Sequence, residues 1–201
     1  KDRIEESFPY EKIRDQQEQA ISYALDCFLE SDKKFCIIEA GTGVGKSAIG
    51  VCIANYMKKH QSKDSSAYFI TTQKILQDQY EKDFVSLSSI KSSSNYACKH
   101  NKKISCAESL QMLRTADKSS RHFKTCAFNC IYKQEKQRFL ESPLSVTNFP
   151  YFLTEANFSG KIKQRDLLVI DEGHNIESEL SRFIEITVSE TFCKSILGIN
   201  F

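Results

Sequence analysis

Apolar and polar residues follow two rhythms along this chain, one of period near 3.6 and one of short unbroken apolar runs. From Gln17 to Leu29 the apolar positions are 20, 21, 24, 25, 28 and 29, which is the spacing of one helical face. Lys33 and Lys34 close that segment, and Phe35–Glu39 (FCIIE) predicts a short buried strand. A glycine-rich turn follows. Ser47–Met57 then predicts a helix, Ala67–Thr71 (AYFIT) a second strand and Lys74–Phe84 a second helix. Strands separated by helical crossovers call for a parallel sheet, because parallel neighbours cannot be joined by a tight hairpin. The rhythm breaks at Ser86–Ser94 (SLSSIKSSS), a serine-rich joint, and resumes near Pro143. There LSVTN predicts one strand and Leu167–Asp171 (LLVID) another. No internal repeat is present. The predicted layout is one α/β domain in two parts, residues 1–85 and 140–201, interrupted by a small module at 86–139.

Charge sharpens that division. The chain carries a net charge of +2, but Ser86–Arg138 holds eleven Lys/Arg against three acids and is +8, leaving −6 for the remainder. Half of the eight cysteines, Cys98, Cys106, Cys126 and Cys130, fall in the same stretch. The other four (Cys27, Cys36, Cys52 and Cys193) lie among apolar neighbours and read as small buried hydrophobes. No run of about 18 apolar residues offers a membrane span. The opening KDRIEESFPY has no apolar signal core, so the chain is expected to be intracellular, with no membrane partner. Clustered cysteines in such a chain point to a metal before disulfides. A basic, cysteine-bearing insertion in an acidic remainder has the look of a nucleic-acid-facing element.

The glycine-rich turn reads Ala40-Gly41-Thr42-Gly43-Val44-Gly45-Lys46-Ser47, between a predicted strand and a predicted helix. That is the context of a phosphate-binding loop, in which glycines turn backbone N–H groups toward phosphate oxygens and the helix start adds its positive dipole end. Lys46 is then the β/γ-phosphate contact of ATP, and the Ser47 hydroxyl a Mg²⁺ ligand. Ala40 stands where the general pattern begins with glycine; the bland alternative is a strand–helix turn with no ligand. The second candidate is Asp171-Glu172-Gly173-His174, after the apolar run 167–170. At the carboxyl edge of a parallel sheet, Asp171 is placed to hold Mg²⁺ through its water shell and Glu172 to orient and deprotonate an attacking water. His174 reads as a contact coupling hydrolysis to movement rather than as a metal ligand.

Four thiols within 33 residues, spaced C-x7-C-x19-C-x3-C, can close around zinc or an iron–sulfur cluster, or remain unliganded. The absence of paired C-x2-C knuckles makes a poor zinc ribbon. If Cys126 and Cys130 share a helix, their i, i+4 spacing puts both sulfurs on one face. Lys99, Lys102, Lys103, Arg114, Arg121 and Lys124 are candidate phosphate contacts, and Tyr96, Phe123, Phe128 and Tyr132 candidate stacking platforms or simply the module's own core.

Taken in order, these elements resemble the iron–sulfur DNA helicases of superfamily 2, the DinG/XPD family. AGTGVGKS is similar to helicase motif I, and DEGH to a DEAH box with Gly173 in place of alanine. Phe8-Pro9-Tyr10 with Arg14-Asp15-Gln16-Gln17 resembles the family's opening element, which implies adenine reading by Gln17 beside Arg14. Ile70–Gln79 is similar to motif Ia, implying single-stranded DNA contacts at Thr72 and Gln73. Val146–Leu153 resembles the stretch before the DEAH box and brings in Asn148 as a DNA contact.

The resemblance implies a RecA-like fold, ATP and Mg²⁺, a [4Fe-4S] cluster on Cys98, Cys106, Cys126 and Cys130 with zinc as the alternative, and 5′-to-3′ movement on single-stranded or fork DNA. It also implies a second motor domain, absent from these 201 residues, that completes the ATP site with an arginine, so weak ATP binding and poor hydrolysis are expected of the chain alone. Two other readings compete. One is a non-enzymatic nucleic-acid-binding module that retains the loop. The other is a nucleotide kinase, for which no acceptor pocket or lid arginines can be found.

Overall fold

The computed structural model describes residues 2–41 and 43–184; Thr42, Cys193 and the C-terminal end of the segment expected at 140–201 lie outside the described residues. Among the described residues four strands, β1 (Ala67–Thr71), β2 (Ser88–Ser89), β3 (Leu144–Asn148) and β4 (Leu167–Ile170), form a parallel sheet in the order β2-β3-β1-β4. Phe69 of β1 lies level with Val146 of β3 and Val169 of β4. The helices are α1 (Asp2–Glu5), α2 (Asp15–Leu25), α3 (Lys46–Tyr56), α4 (Lys74–Asp83), α5 (Cys106–Met112), α6 (Arg121–Phe128), α7 (Ile131–Glu141), α8 (Phe149–Thr154) and α9 (Ile176–Ile184).

Strand alternation divides the core into two layers. Ala67, Phe69, Leu144, Val146, Leu167 and Val169 face one side, where they meet Ile4, Ile21, Ile49 and Tyr80 from α1 to α4. Tyr68, Ile70 and Ile170 face the other, against Phe139 of α7, Phe149 and Tyr151 of α8 and Ile176 of α9. Because both faces of β1 are covered, all five of its residues are buried, as its unbroken apolar run requires. Helix α3 lies so close to β4 that a Cβ on Gly50 would stand 2.9 Å from Val169 Cγ1.

Arg165, just before β4, ties the sheet's amino edge together. Its Nη1 donates to Ala67 O (2.7 Å) and Pro143 O (3.2 Å), and its Nη2 to Phe139 O (3.2 Å) and Ser142 O (2.7 Å). The guanidinium carbon stacks 3.7 Å from the centre of the Tyr68 ring. One side chain thus joins the start of β1, the approach to β3 and the end of α7.

The sequence-based layout needs two corrections. Phe35–Glu39 is extended but joins no ladder among the described residues. Cys36 and Ile38 pack on the core, while Phe35 is 86% and Ile37 90% exposed. Side-chain alternation is therefore that of a strand, without the partner strand that would make it one. Secondly, the sheet takes residues from both ends of the segment assigned to 86–139. β2 pairs with β3, Ile90 is fully buried, and α7 anchors to the second layer through Phe139 and a largely buried Lys136–Glu155 ion pair at 2.6 Å. The part standing apart from the sheet is shorter, from about Ser93 to Cys130.

Candidate functional site

At the carboxyl ends of β1 and β4, the start of α3 meets the segment after β4. Gly45 is the residue before α3 and has φ +83°, a left-handed conformation that favours glycine; a Cβ there would also sit 2.7 Å from Gln17 Nε2. Gln17 and Arg14 grip the loop by its main chain. Arg14 Nη1 donates to Gly43 O at 2.9 Å and Gln17 Nε2 to Val44 O at 2.8 Å, while Gln17 Oε1 accepts from the Arg14 N–H at 3.0 Å. Gln17, expected to read adenine, and Arg14 beside it are thus brought to the loop, with the Gln17 amide bonded at both ends. Gly41, Gly43 and Gly45 are exposed, Ala40 and Val44 half-buried, and Thr42 lies outside the described residues.

Lys46 and Ser47 open α3 and face the two carboxylates. Lys46 Nζ lies 3.3 Å from Glu172 Oε1 and 3.4 Å from Ala40 O. Asp171 extends the ladder by donating its N–H to Ile70 O (2.9 Å), which fixes its backbone at the edge of the sheet. Its Oδ2 accepts from Ser47 Oγ (3.4 Å) and from the Tyr80 hydroxyl (3.2 Å), and its Oδ1 from the Glu172 N–H (3.0 Å). Glu172 has φ +54°, a conformation rare outside glycine and often found where function demands it. His174 Nδ1 approaches Glu172 Oε2 at 3.3 Å and is otherwise largely exposed. The arrangement offers a cation and a helix start to an anion, and a hydroxyl with a carboxylate to a hard divalent ion. Glu172 stands beside them, paired with Lys46.

The four clustered cysteines converge from three local structures. An antiparallel bridge between Ala97 and Ser105, with Cys98 N–H donating to Ile104 O (2.9 Å) and Cys106 N–H to Tyr96 O (2.7 Å), folds the x7 spacer into a hairpin. Cys106 then opens α5 behind a capping box in which Ser105 and Glu108 exchange bonds. Cys126 lies on α6 but Cys130 does not, because the helix ends at Asn129 and Cys130 caps α7; the condition for an i, i+4 pair on one helix is not met. All four thiols are buried and line one pocket with Ser109, Leu110 and Thr125. Cys98 and Cys126 are 3.9 Å apart, and no disulfide forms among the described residues.

Burial alone would raise the Cys98 thiol, but Ser109 and the N–H groups of Asn101 and His100 hold it below the ordinary value. Burial pushes Cys106 up to about 11. No three His, Cys, Asp or Glu among the described residues gather tightly enough for a single metal ion. Outside the cluster Cys52 is buried as expected, whereas Cys27 and Cys36 are only half-buried.

The residues expected to touch DNA separate into three kinds. Lys102, Lys103, Arg121 and Lys124 are exposed on the cysteine module. Gln73 is exposed at the start of α4, and Thr72 beside it keeps a buried hydroxyl with no hydrogen-bond partner among the described residues. Asn148 is 7% exposed, and its amide is spent internally: it donates to Gln77 Oε1 (3.0 Å) and caps α8 by accepting from the Tyr151 N–H (3.1 Å). That is the geometry of a helix cap and not of an accessible DNA contact. Of the four interleaved aromatics, Tyr96 and Tyr132 pack toward the second core layer and Phe123 is half-buried, while Phe128 is 85% exposed.

Three residues at these sites escaped the sequence reading. Tyr80 bears on Asp171 from 91 positions away, a distance no local pattern reports. Ser109, 1% exposed, sits 3.2 Å from both Cys98 Sγ and Cys126 Sγ and 2.8 Å from His122 Nε2. His122 did leave a signal, four residues before Cys126 on one helical face.

Among the described residues no helix is long and apolar enough to cross a membrane. The probable ATP-dependent helicase of Methanocaldococcus jannaschii is 24% identical over 218 residues, an alignment covering 92% of this chain and 32% of that protein. The chain thus spans about a third of that relative's length. The family described as the type III restriction enzyme, res subunit, matches residues 11–199. With that match covering nearly the whole chain, and a lysine-bearing loop facing a carboxylate pair across the sheet's edge, the chain belongs to the res-subunit family, as a helicase-family domain.

Proposed function

We propose that this chain is the first motor domain of an ATP-dependent DNA helicase of the iron–sulfur, DinG/XPD type, moving 5′ to 3′ on single-stranded or fork DNA. The observation that carries the reading is the convergence of Cys98, Cys106, Cys126 and Cys130 on one buried pocket of a basic insertion. Four free, buried thiols facing one pocket suit a thiolate-bound centre in their chemistry. A [4Fe-4S] cluster there would cross-link a small module with little core of its own.

At the other site, Lys46 and the loop Ala40–Ser47 would hold the phosphates of ATP. Ser47 and Asp171 would hold Mg²⁺, which supplies charge neutralisation on the phosphates when bound. Glu172 would take a proton from the attacking water, with His174 steadying it. Lys46 lies 3.3 Å from Glu172 Oε1, so it would stand between the phosphates and that carboxylate. Arg14 and Gln17 connect the base-binding side to the loop they grip. A second motor domain would close the site and supply an arginine.

The test is iron, sulfide and zinc content with a visible absorption spectrum on protein purified without oxygen. About four iron and four sulfide per chain are expected, with Cys126→Ser losing most of both. Zinc, or no metal, would remove the iron–sulfur assignment and leave the ATP-dependent domain standing.

The exposed lysines of the module make the DNA contact in this reading, with Phe128 as the aromatic available for stacking. Reversing Lys102 and Lys103 to glutamate is expected to weaken single-strand binding and to flatten its dependence on salt, since each lost phosphate contact removes about one unit of slope. Fluorescence anisotropy across a salt series measures both. Unchanged affinity and slope would move the DNA path off this face.

A further inference from the structure

Tyr80 lies on α4, two turns beyond Gln73, and is 2% exposed. Its ring packs between Phe69 and Phe84, with centroids 5.8 and 5.6 Å away. Phenylalanine would fill that space equally well, and taking a hydroxyl out of water is unfavourable unless it is bonded. The hydroxyl is bonded to Asp171 Oδ2 at 3.2 Å, the same oxygen that accepts from Ser47 Oγ at 3.4 Å. The remaining oxygen of Asp171 accepts from the Glu172 N–H at 3.0 Å. Three donors from α3, α4 and the edge of the sheet therefore fix the carboxylate.

We infer that Tyr80 is a positioning residue for the divalent cation of the nucleotide site: its hydroxyl holds Asp171 facing Ser47 before any nucleotide arrives. This rests on the nucleotide-binding reading given above. Nothing local to the phosphate loop supplies this contact. It comes from the helix whose first residues were read as the single-strand contact, and that helix is pinned midway by Gln77. The Gln77 amide, fully buried, donates to Ser89 Oγ (2.9 Å) and Ile90 O (2.8 Å) and accepts from Asn148. With Gln77 and Tyr80 buried on the same face, α4 is held at two points and presents the hydroxyl to Asp171 with little freedom.

The experiment uses the 201-residue chain, wild type and Tyr80→Phe, and a fluorescent ATP analogue titrated in EDTA and across a Mg²⁺ series. In EDTA the two proteins are expected to bind alike. The Mg²⁺ concentration giving half of the metal-dependent gain is expected to rise about five-fold in the variant, the scale of one ordinary hydrogen bond, since Asp171 keeps its other two donors. Thermal unfolding of both, followed by circular dichroism, separates this from a loss of fold, which would lower affinity in EDTA as well. Should Tyr80→Phe misfold, Tyr80→Met, which also lacks the hydroxyl in the same space, takes its place. Superimposable Mg²⁺ curves would overturn the positioning role while leaving nucleotide binding intact. A wild-type chain that binds the analogue in neither condition would instead overturn the nucleotide-binding reading itself.

Discussion

Replacing Lys46 with alanine is expected to weaken binding of a fluorescent ATP analogue with Mg²⁺ by about 10- to 100-fold, the worth of one charge-assisted hydrogen bond. The resting geometry explains why the loss falls on binding rather than on folding. Lys46 Nζ has oxygen neighbours at 3.3 and 3.4 Å, both long for an ammonium, whose charge-assisted contacts usually lie at about 2.7–2.9 Å. Its side chain is also 33% exposed, so little of the fold depends on it. A phosphate oxygen would give Lys46 a contact shorter than either of these. Lys46→Arg should rescue poorly, because a planar fork cannot enter a loop shaped around a point charge. Equilibrium titration of the three proteins decides the matter. Equal affinity for Lys46→Ala and wild type would mean that the loop is a structural turn.

The largest effect on stability is expected from Arg165→Ala, about 3 kcal/mol, from several lost contacts to backbone carbonyls and one cation–π contact. For a chain of this size that corresponds to a fall of about 10 °C in Tm. The four carbonyls lie on or beside β1, β3 and α7; Phe139 O and Ser142 O also accept from Ser145 Oγ, and Pro143 O from the Ala67 N–H, but only the guanidinium joins all four at once among the described residues. Lysine at the same place has one donor head for four acceptors in two directions, and should recover only a minor part. Thermal unfolding by circular dichroism tests this. A Tm within about 2 °C of wild type would show that the carbonyls are satisfied by water once the guanidinium has gone.

Much of the architecture was readable from the chain because the residues that carry it act locally. AYFIT, LSVTN and LLVI became strands at the predicted places, and Lys46 and Lys74 open helices within a residue of the expected starts. What escaped was non-local. The apolar run at 35–39 has the side-chain pattern of a strand, but a ladder needs a neighbour, and pattern says nothing of neighbours. Ser88 and Ser89 looked like part of a flexible joint; their backbone pairs with Ser145 and Val146 regardless of the serine side chains. Asn148 was read by its place in a motif, whereas its location at the end of a buried strand made it a helix cap. The cysteine spacing announced a cluster of thiols. It could not announce the break at Asn129 that puts Cys126 and Cys130 on separate helices, nor the buried Ser109 between Cys98 and Cys126.

The extended segment leading into the phosphate loop has a consequence for handling the protein. Phe35 and Ile37, together with Leu168 of the edge strand β4, 49% exposed, give water apolar side chains. Extended backbone carrying them is a template on which another chain can lay a strand. It would do so through main-chain bonds, indifferent to the sequence of the newcomer. Colloidal behaviour of this polypeptide is therefore governed by the stretch beside its chemistry, and crowding works against it. Dilute storage and a charged substitution at position 37, which touches neither Lys46 nor Asp171, are the routes to keeping it in solution.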